Sequence, residues 1–202
     1  MIKYPIHRVE VNLTELCNRT CFFCPRALDY PNLNLHMTKE VAEQVCIQTE
    51  EYTNYITISG RGEPLLCKNL YEILETLVFY NKHIAMNTNG DFLDKHIDEL
   101  DRILDLKKPR PKYKIGKEDK KWPKVPITVA CYDGVEQKEE REKIYKDYSN
   151  NLRFVARTET MDSMYKGQMT NRAGALPWTQ TKWLERPCYF LYFKTYINWN
   201  GD

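Results

Sequence analysis

The chain has 202 residues, with 30 Lys and Arg against 28 Asp and Glu, and its formal charge of +2 points to no particular partner. A chain of this length fills one domain's core without staples, and no apolar run approaches the roughly 18 residues of a membrane span. Seven cysteines are an odd number and no charged–apolar–small segment opens the sequence, so a disulfide scaffold is disfavoured and a reducing cytoplasm is the expected compartment.

Arg8 to Leu13 alternates apolar and polar residues, the pattern of a first strand. From its end runs Leu-Cys-Asn-Arg-Thr-Cys-Phe-Phe-Cys-Pro, which places Cys17, Cys21 and Cys24 in one short loop. Soft thiolate ligands select iron–sulfur clusters, zinc or copper(I). A zinc site or an ordinary cubane cluster closes with four protein ligands. This loop supplies three, which leaves one position to a ligand from outside. His7, His36, His83 and His96 are scattered, and none stands at zinc-finger spacing.

Thr38 can cap a helix whose stripe is Val41, Ala42, Val45, Cys46 and Thr49. Ile56 to Ser59 reads as a second strand, followed by Ser-Gly-Arg-Gly-Glu-Pro over 59–64. Gly60 and Gly62 let backbone approach a ligand closely, and the Glu63 carboxylate beside them can accept from an ammonium group. Leu70, Ile73, Leu74, Leu77 and Val78 mark the next helix, and Ile84 to Asn87 a third strand. Asn89-Gly90 is a common turn pair, and Asn87 and Asn89 can alternatively face a ligand. Leu93, Ile97, Leu100 and Leu104 mark a third helix.

Residues 107–124 carry nine Lys and Arg against Glu118 and Asp119, with Pro109, Pro111 and Pro123 breaking any helix. A solvated surface insertion is favoured over a nucleic-acid contact, although Tyr113 and Trp122 are interleaved with the charge. Ile127 to Cys131 is a fourth strand. A charged helix follows to about Ser149, anchored weakly by Ile144 and Tyr148, and then Leu152 to Ala156 as a fifth strand. Phe190 to Trp199 is the sixth, after a long irregular stretch. Cys46, Cys67 and Cys131 read as small buried hydrophobes.

The CxxxCxxC spacing, with the aromatic Phe23 before its last cysteine, resembles the signature of radical S-adenosylmethionine (SAM) enzymes. Gly60 to Pro64 resembles that family's Gly-Gly-Glu-Pro motif, which holds the amino group of SAM, with Arg61 between the two glycines. Thr88-Asn89-Gly90 resembles the family's third-strand ending. At the end of the fourth strand this chain has Ala130 and Cys131 where the family often places a Ser. Asn171 to Gly174 and the stretch from Arg186-Pro-Cys188 to Asp202 resemble proteins with cysteine-rich C-terminal extensions of the SPASM or twitch type.

The resemblance implies an α/β fold, a partial (β/α)6 TIM-type barrel. Residues 1–186 would form its core, and 187–202 the last strand and the start of an extension that is mostly absent. It further implies a [4Fe–4S] cluster on Cys17, Cys21 and Cys24, and SAM contacted by Phe23, Gly60, Gly62, Glu63, Pro64, Asn89 and Arg157. A ferredoxin- or flavodoxin-like donor would reduce the cluster, and the 5′-deoxyadenosyl radical would abstract hydrogen from a substrate. The C-terminal resemblance tilts toward a peptide or protein substrate, with carbohydrates, nucleosides and cofactor precursors left open. A zinc-binding interaction module, or one that binds nucleic acid, is the alternative from another class.

Overall fold

The computed structural model describes residues 8–22, 24, 26, 31–108, 126–157 and 194–201. In chain order these form β1 (Arg8–Val11), α1 (Lys39–Gln48), β2 (Tyr55–Ile58), α2 (Leu70–Phe79), β3 (His83–Thr88), α3 (Leu93–Leu104), β4 (Ile127–Cys131), α4 (Val135–Ile144), β5 (Leu152–Ala156) and β6 (Lys194–Ile197). Phe23, residues 109–124 of the basic insertion, Asn171 to Gly174, Cys188 and the first part of the expected sixth strand lie outside the described residues.

The six strands make one parallel sheet in the order β5-β4-β3-β2-β1-β6. Parallel neighbours need a long crossover, and a helix lies between β1 and β2, β2 and β3, β3 and β4, and β4 and β5. β6 pairs with β1, from Arg8↔Lys194 to Val11↔Ile197, and no β5–β6 pair occurs among the described residues. This is the cyclic order of a six-stranded barrel opened between its fifth and sixth strands, which is the expected partial barrel.

Alternation along each strand sorts the two faces. Val9, Val11, Ile56, Ile58, Ile84, Met86, Ile127, Val129, Leu152 and Phe154 are buried in one cluster with Ala42, Leu74, Leu77 and Leu100 of the helices. Each such side chain contributes about 1.5–3 kcal/mol through burial. The intervening residues, among them Thr57, Ser59, Asn87 and Thr128, face the other way and give the concave side its polar lining. All-parallel strands usually read as continuous apolar runs; these alternate because only one of their faces meets helices.

The helices begin largely where the sequence places them. The Thr38 hydroxyl accepts from the Val41 N–H at the start of α1, and Leu93, Ile97, Leu100 and Leu104 are all buried along α3. Two expectations are corrected. Val78 is 44% exposed: the stripe of α2 is Leu70, Ile73, Leu74 and Leu77, and Val78 sits one step round its edge. Ile144 is 64% exposed and α4 buries none of its residues. What anchors this region is aromatic: Tyr145 and Tyr148 pack against the core, and the Tyr145 ring stacks on Phe154 at 5.9 Å. The helix ends at Ile144 and a separate 3-10 turn covers Lys146–Tyr148. No helix among the described residues is long and apolar enough to cross a membrane.

Candidate functional site

The carboxyl ends of the strands open on a cleft of about 330 Å3. Its lining brings together Cys17, Cys21 and Cys24 with Gly60, Arg61, Gly62, Glu63, Asn87, Asn89 and Arg157, each singled out from sequence, and adds Arg19, Thr128 and Tyr132. Ala130 lines the cleft, whereas Cys131 is buried among the helices with Cys46 and Cys67. Pro64 is buried at the first position of a 3-10 turn, Pro64–Leu66, and shapes the chain rather than the cleft wall. A second hollow of about 500 Å3 lies around Phe79 between α1 and α2, and none of its lining residues is a thiol or a glycine-turn residue.

The two sequence motifs are packed onto each other. The Glu63 N–H donates to the Leu16 carbonyl at 2.8 Å. A Cβ on Gly62 would stand 2.0 Å from the Thr14 carbonyl oxygen, and one on Gly60, whose φ is +148°, 2.4 Å from Asn12 Oδ1. The glycines are therefore required by the closeness of this turn to the start of the cysteine loop. Asn12 in turn donates to Glu15 Oε1 at 2.9 Å and to Asn198 Oδ1 at 3.0 Å, which ties the end of β1 to the end of β6.

Side chains hold the cysteine loop in place. Asn32 accepts from the Cys17 N–H at 2.9 Å and donates to the Cys17 carbonyl at 3.1 Å. The buried Arg26 guanidinium donates to Asn32 Oδ1 at 2.9 Å, to the Arg61 carbonyl at 2.6 Å and to the Glu15 carbonyl, and so joins both motifs. Cys24 N–H closes a turn on the Cys21 carbonyl at 2.8 Å. Arg19 projects from the middle of the loop to the far side of the cleft, where it pairs with Asp91 and Asp133.

The three cysteines are half-buried and unpaired thiols. Burial raises the pKa of Cys17, although the Arg19 backbone N–H pulls it back, and burial with the neighbouring thiols pushes Cys21 up to about 11. Thiols in this state gain most from a bound metal, which stabilises the thiolate directly. Glu63 is 3% exposed. Burial raises its pKa against donors from Asn89 N–H at 2.8 Å, Leu65 N–H at 3.1 Å and the Thr88 hydroxyl. Among the described residues its Oε2 accepts only the Asn89 bond, which leaves it a lone pair. Tyr132, at the end of β4, is raised to about 12, chiefly by burial.

A loop of three thiols beside a carboxylate and a glycine turn, at the strand ends of a partial barrel, defines a protein built to hold a metal cluster and a small cofactor together. Comparison with known proteins gives this class its name. Residues 11–112, half of the chain, match the radical SAM superfamily, and the chain belongs to that superfamily. Its members are enzymes that use a [4Fe–4S] cluster and SAM.

GTP 3′,8-cyclase of Aquifex aeolicus is 34% identical over 102 residues, which cover 48% of this chain and 32% of that protein. The S-adenosyl-L-methionine-dependent 2-deoxy-scyllo-inosamine dehydrogenase of Niallia circulans is 30% identical over 102 residues, 47% of this chain and 40% of that protein. The matches thus span less than half the length of these curated relatives. The crystal structure of BtrN in complex with AdoMet and 2-DOIA has the same fold at a TM-score of 0.65 and 19% identity, covering 98% of this chain and 72% of that one.

Reasoning from sequence did not find Arg19, Arg26, Asn32, Asp91 or Thr128. Asp91 follows the Asn89-Gly90 turn and Asp133 precedes Gly134, so both stand just past strand ends. Combined with an unassigned arginine between two cysteines, that placement was the available signal.

Proposed function

We propose that this chain is the catalytic core of a radical SAM enzyme, with Cys17, Cys21 and Cys24 as cluster ligands. The observation that carries the reading is that these thiols and the Gly60–Glu63 turn, far apart in sequence, line one cleft. A [4Fe–4S] cluster held on these three thiolates would supply one-electron reductive cleavage of SAM to methionine and a 5′-deoxyadenosyl radical. The residues of the chain bind and orient. Glu63 offers its remaining lone pair to the SAM ammonium, Gly60 and Gly62 keep the wall free of side chains, and Arg157 faces the cleft as a partner for the carboxylate. Asn89 holds the turn beside them, Pro64 starts the 3-10 turn that sets Glu63 in place, and Phe23 is a further expected contact. The electron comes from a ferredoxin- or flavodoxin-like donor, and the compartment is the cytoplasm.

A single zinc is the poorer fit. A closed zinc site takes four protein ligands, and the loop supplies three thiols, which suits a cluster that leaves one iron to an outside ligand.

The floor of the cleft bears on the substrate. Ser59 stands just past β2, Asn87 on β3 and Thr128 on β4, with Asn87 in register with Thr128. Neutral amide and hydroxyl groups there suit a hydroxylated small molecule, such as a nucleoside or carbohydrate, ahead of a peptide. Two relatives are named for GTP and for 2-deoxy-scyllo-inosamine, which accords with this order.

The test is anaerobic reconstitution with iron and sulfide, then reduction in the presence of SAM. Four irons per chain and slow formation of 5′-deoxyadenosine are expected, both abolished in Cys17→Ala, Cys21→Ala and Cys24→Ala and retained in Cys46→Ala. Stoichiometric zinc without acid-labile sulfide in anaerobically purified protein would overturn the reading.

A further inference from the structure

We infer that Arg19 is a positioning residue, which through Asp91 registers the cysteine loop on the end of β3 and so fixes where a cluster stands relative to the SAM-binding wall. The inference rests on the radical SAM reading above.

Asn18, Arg19 and Thr20 make no backbone–backbone hydrogen bond among the described residues, so the stretch between the first two cysteines relies on side chains for its position. Arg19 forks onto Asp91, with Nε 2.5 Å from Oδ2 and Nη2 2.8 Å from Oδ1. Its neighbour Asn18 donates to the same carboxylate at 2.7 Å and accepts from Asn89 Nδ2 at 2.8 Å. From the other side, Arg141 of α4 donates to the Asn89 carbonyl at 2.8 Å and stands 3.3 Å from Asp91 Oδ1. Asp91 is thereby the hub at which the cysteine loop, the β3 turn and α4 meet. A bidentate arginine–carboxylate pair fixes orientation as well as distance, which a lysine cannot do.

Asp133 is the weaker anchor. It lies 3.1 Å from Arg19 Nη2, but its side chain is 60% exposed against 20% for Asp91. Solvent screens the first pair far more than the second. The Arg19 guanidinium carbon also lies over the Tyr132 ring, 5.4 Å from its centre, which adds a cation–π contact to the fork. Each residue of the device reaches the three thiols through Arg19 or Asn18, so its effect on a cluster is indirect, in the way outer-shell partners orient metal ligands.

The experiment uses the full chain, reconstituted anaerobically, as wild type, Arg19→Lys, Asp91→Asn, Asp133→Asn and the remote control Arg102→Gln. Iron per chain, the EPR spectrum of the reduced cluster with and without SAM, and SAM affinity by calorimetry are measured. Arg19→Lys and Asp91→Asn are expected to bind SAM about tenfold more weakly and to lose or broaden the SAM-induced change in the spectrum, on the scale of lost outer-shell contacts. Asp133→Asn is expected to change affinity by less than about threefold, and the control not at all. SAM affinity within about twofold of wild type, with an unchanged EPR signature, in both Arg19→Lys and Asp91→Asn would overturn the inference. Should either variant hold no cluster, hydrogen exchange of its apo-protein decides. Faster exchange confined to residues 17–24 supports the clamp, and faster exchange throughout β3 and β4 overturns it. A wild-type protein that takes up no cluster defeats the functional reading instead, and that outcome is visible before any variant is compared.

Discussion

The side-chain amide of Asn32 brackets the backbone of Cys17, accepting from its N–H at 2.9 Å and donating to its carbonyl at 3.1 Å. A residue fifteen positions away thus does for the first cysteine what a neighbouring strand does elsewhere. Asn32→Ala removes both bonds and leaves Arg26 without its Oδ1 acceptor. The expected result is a fold of wild-type stability to within about 1–2 kcal/mol, together with faster loss of iron to a chelator. Equal iron-release half-lives in the two proteins would show that Asn32 does not hold the loop.

Glu63 is a structural acceptor as well as the proposed partner of the SAM ammonium. Glu63→Gln places an NH2 group against at least one of the Asn89 N–H, Leu65 N–H and Thr88 hydroxyl donors. The cost is about 1–3 kcal/mol, or a Tm lower by about 2–10 °C in the apo-protein. SAM binding should weaken as well, and scanning calorimetry with SAM titration separates the two losses. An unchanged apo Tm would mean that the carboxylate is not used by the fold.

The pH dependence of stability follows from Asp91. Burial pushes its pKa up, but the hydrogen bonds from Arg19 and Asn18 and the charge of Arg19 outweigh it and hold it below the ordinary carboxylate value. In the unfolded chain the group returns to about 3.9. Its stabilising contribution is therefore complete above about pH 4 and is lost as pH falls through the lower folded value. Urea unfolding of wild type and Asp91→Asn should differ at pH 6, and the difference should shrink as pH falls below about 4. A constant difference across that range would show that the charge of Asp91 does not matter.

Two glycines with different surroundings should respond differently to the same change. In Gly62→Ala the new methyl meets the backbone oxygen of Thr14 at 2.0 Å and that of Leu16 at 2.9 Å, and neither can move without shifting the cysteine loop. A loss above about 3 kcal/mol is expected, seen as little soluble protein. Gly134 has φ of +97° and ψ of −159°, a region that is nearly glycine's alone, but no atom of the described residues within 4 Å of such a methyl, so Gly134→Ala carries only the conformational cost of about 1–3 kcal/mol. Similar stabilities for the two variants would contradict this account.

Periodicity and the cysteine triplet made much of this legible beforehand. Five strands lie within two residues of their expected limits at each end because alternation is a local signal, and the cysteine loop and glycine turn were read from motifs that resemble those of the superfamily. Three kinds of feature were not legible. The reach of Arg19 to Asp91 and of Arg26 to Glu15 and Arg61 depends on chain segments meeting in space, and an ion pair leaves no pattern along a sequence. Val78 and Ile144 are apolar residues at the margins of their helices, where a small rotation decides between core and solvent. Thr128 looked like an ordinary strand residue, and only its register with Asn87 shows which way it faces.

The division of each strand into an apolar face against the helices and a polar face toward the cleft has an evolutionary consequence. The residues that fold the sheet and those that meet a ligand occupy alternate positions on the same short strands, yet they do not compete for the same space. A substitution at Ser59, Asn87, Thr128 or Ala130 changes the chemistry of the cleft while Ile58, Met86 and Val129 go on supporting the fold behind it. A lineage carrying this scaffold can therefore exchange one substrate for another through single replacements on the concave side, without first acquiring spare stability.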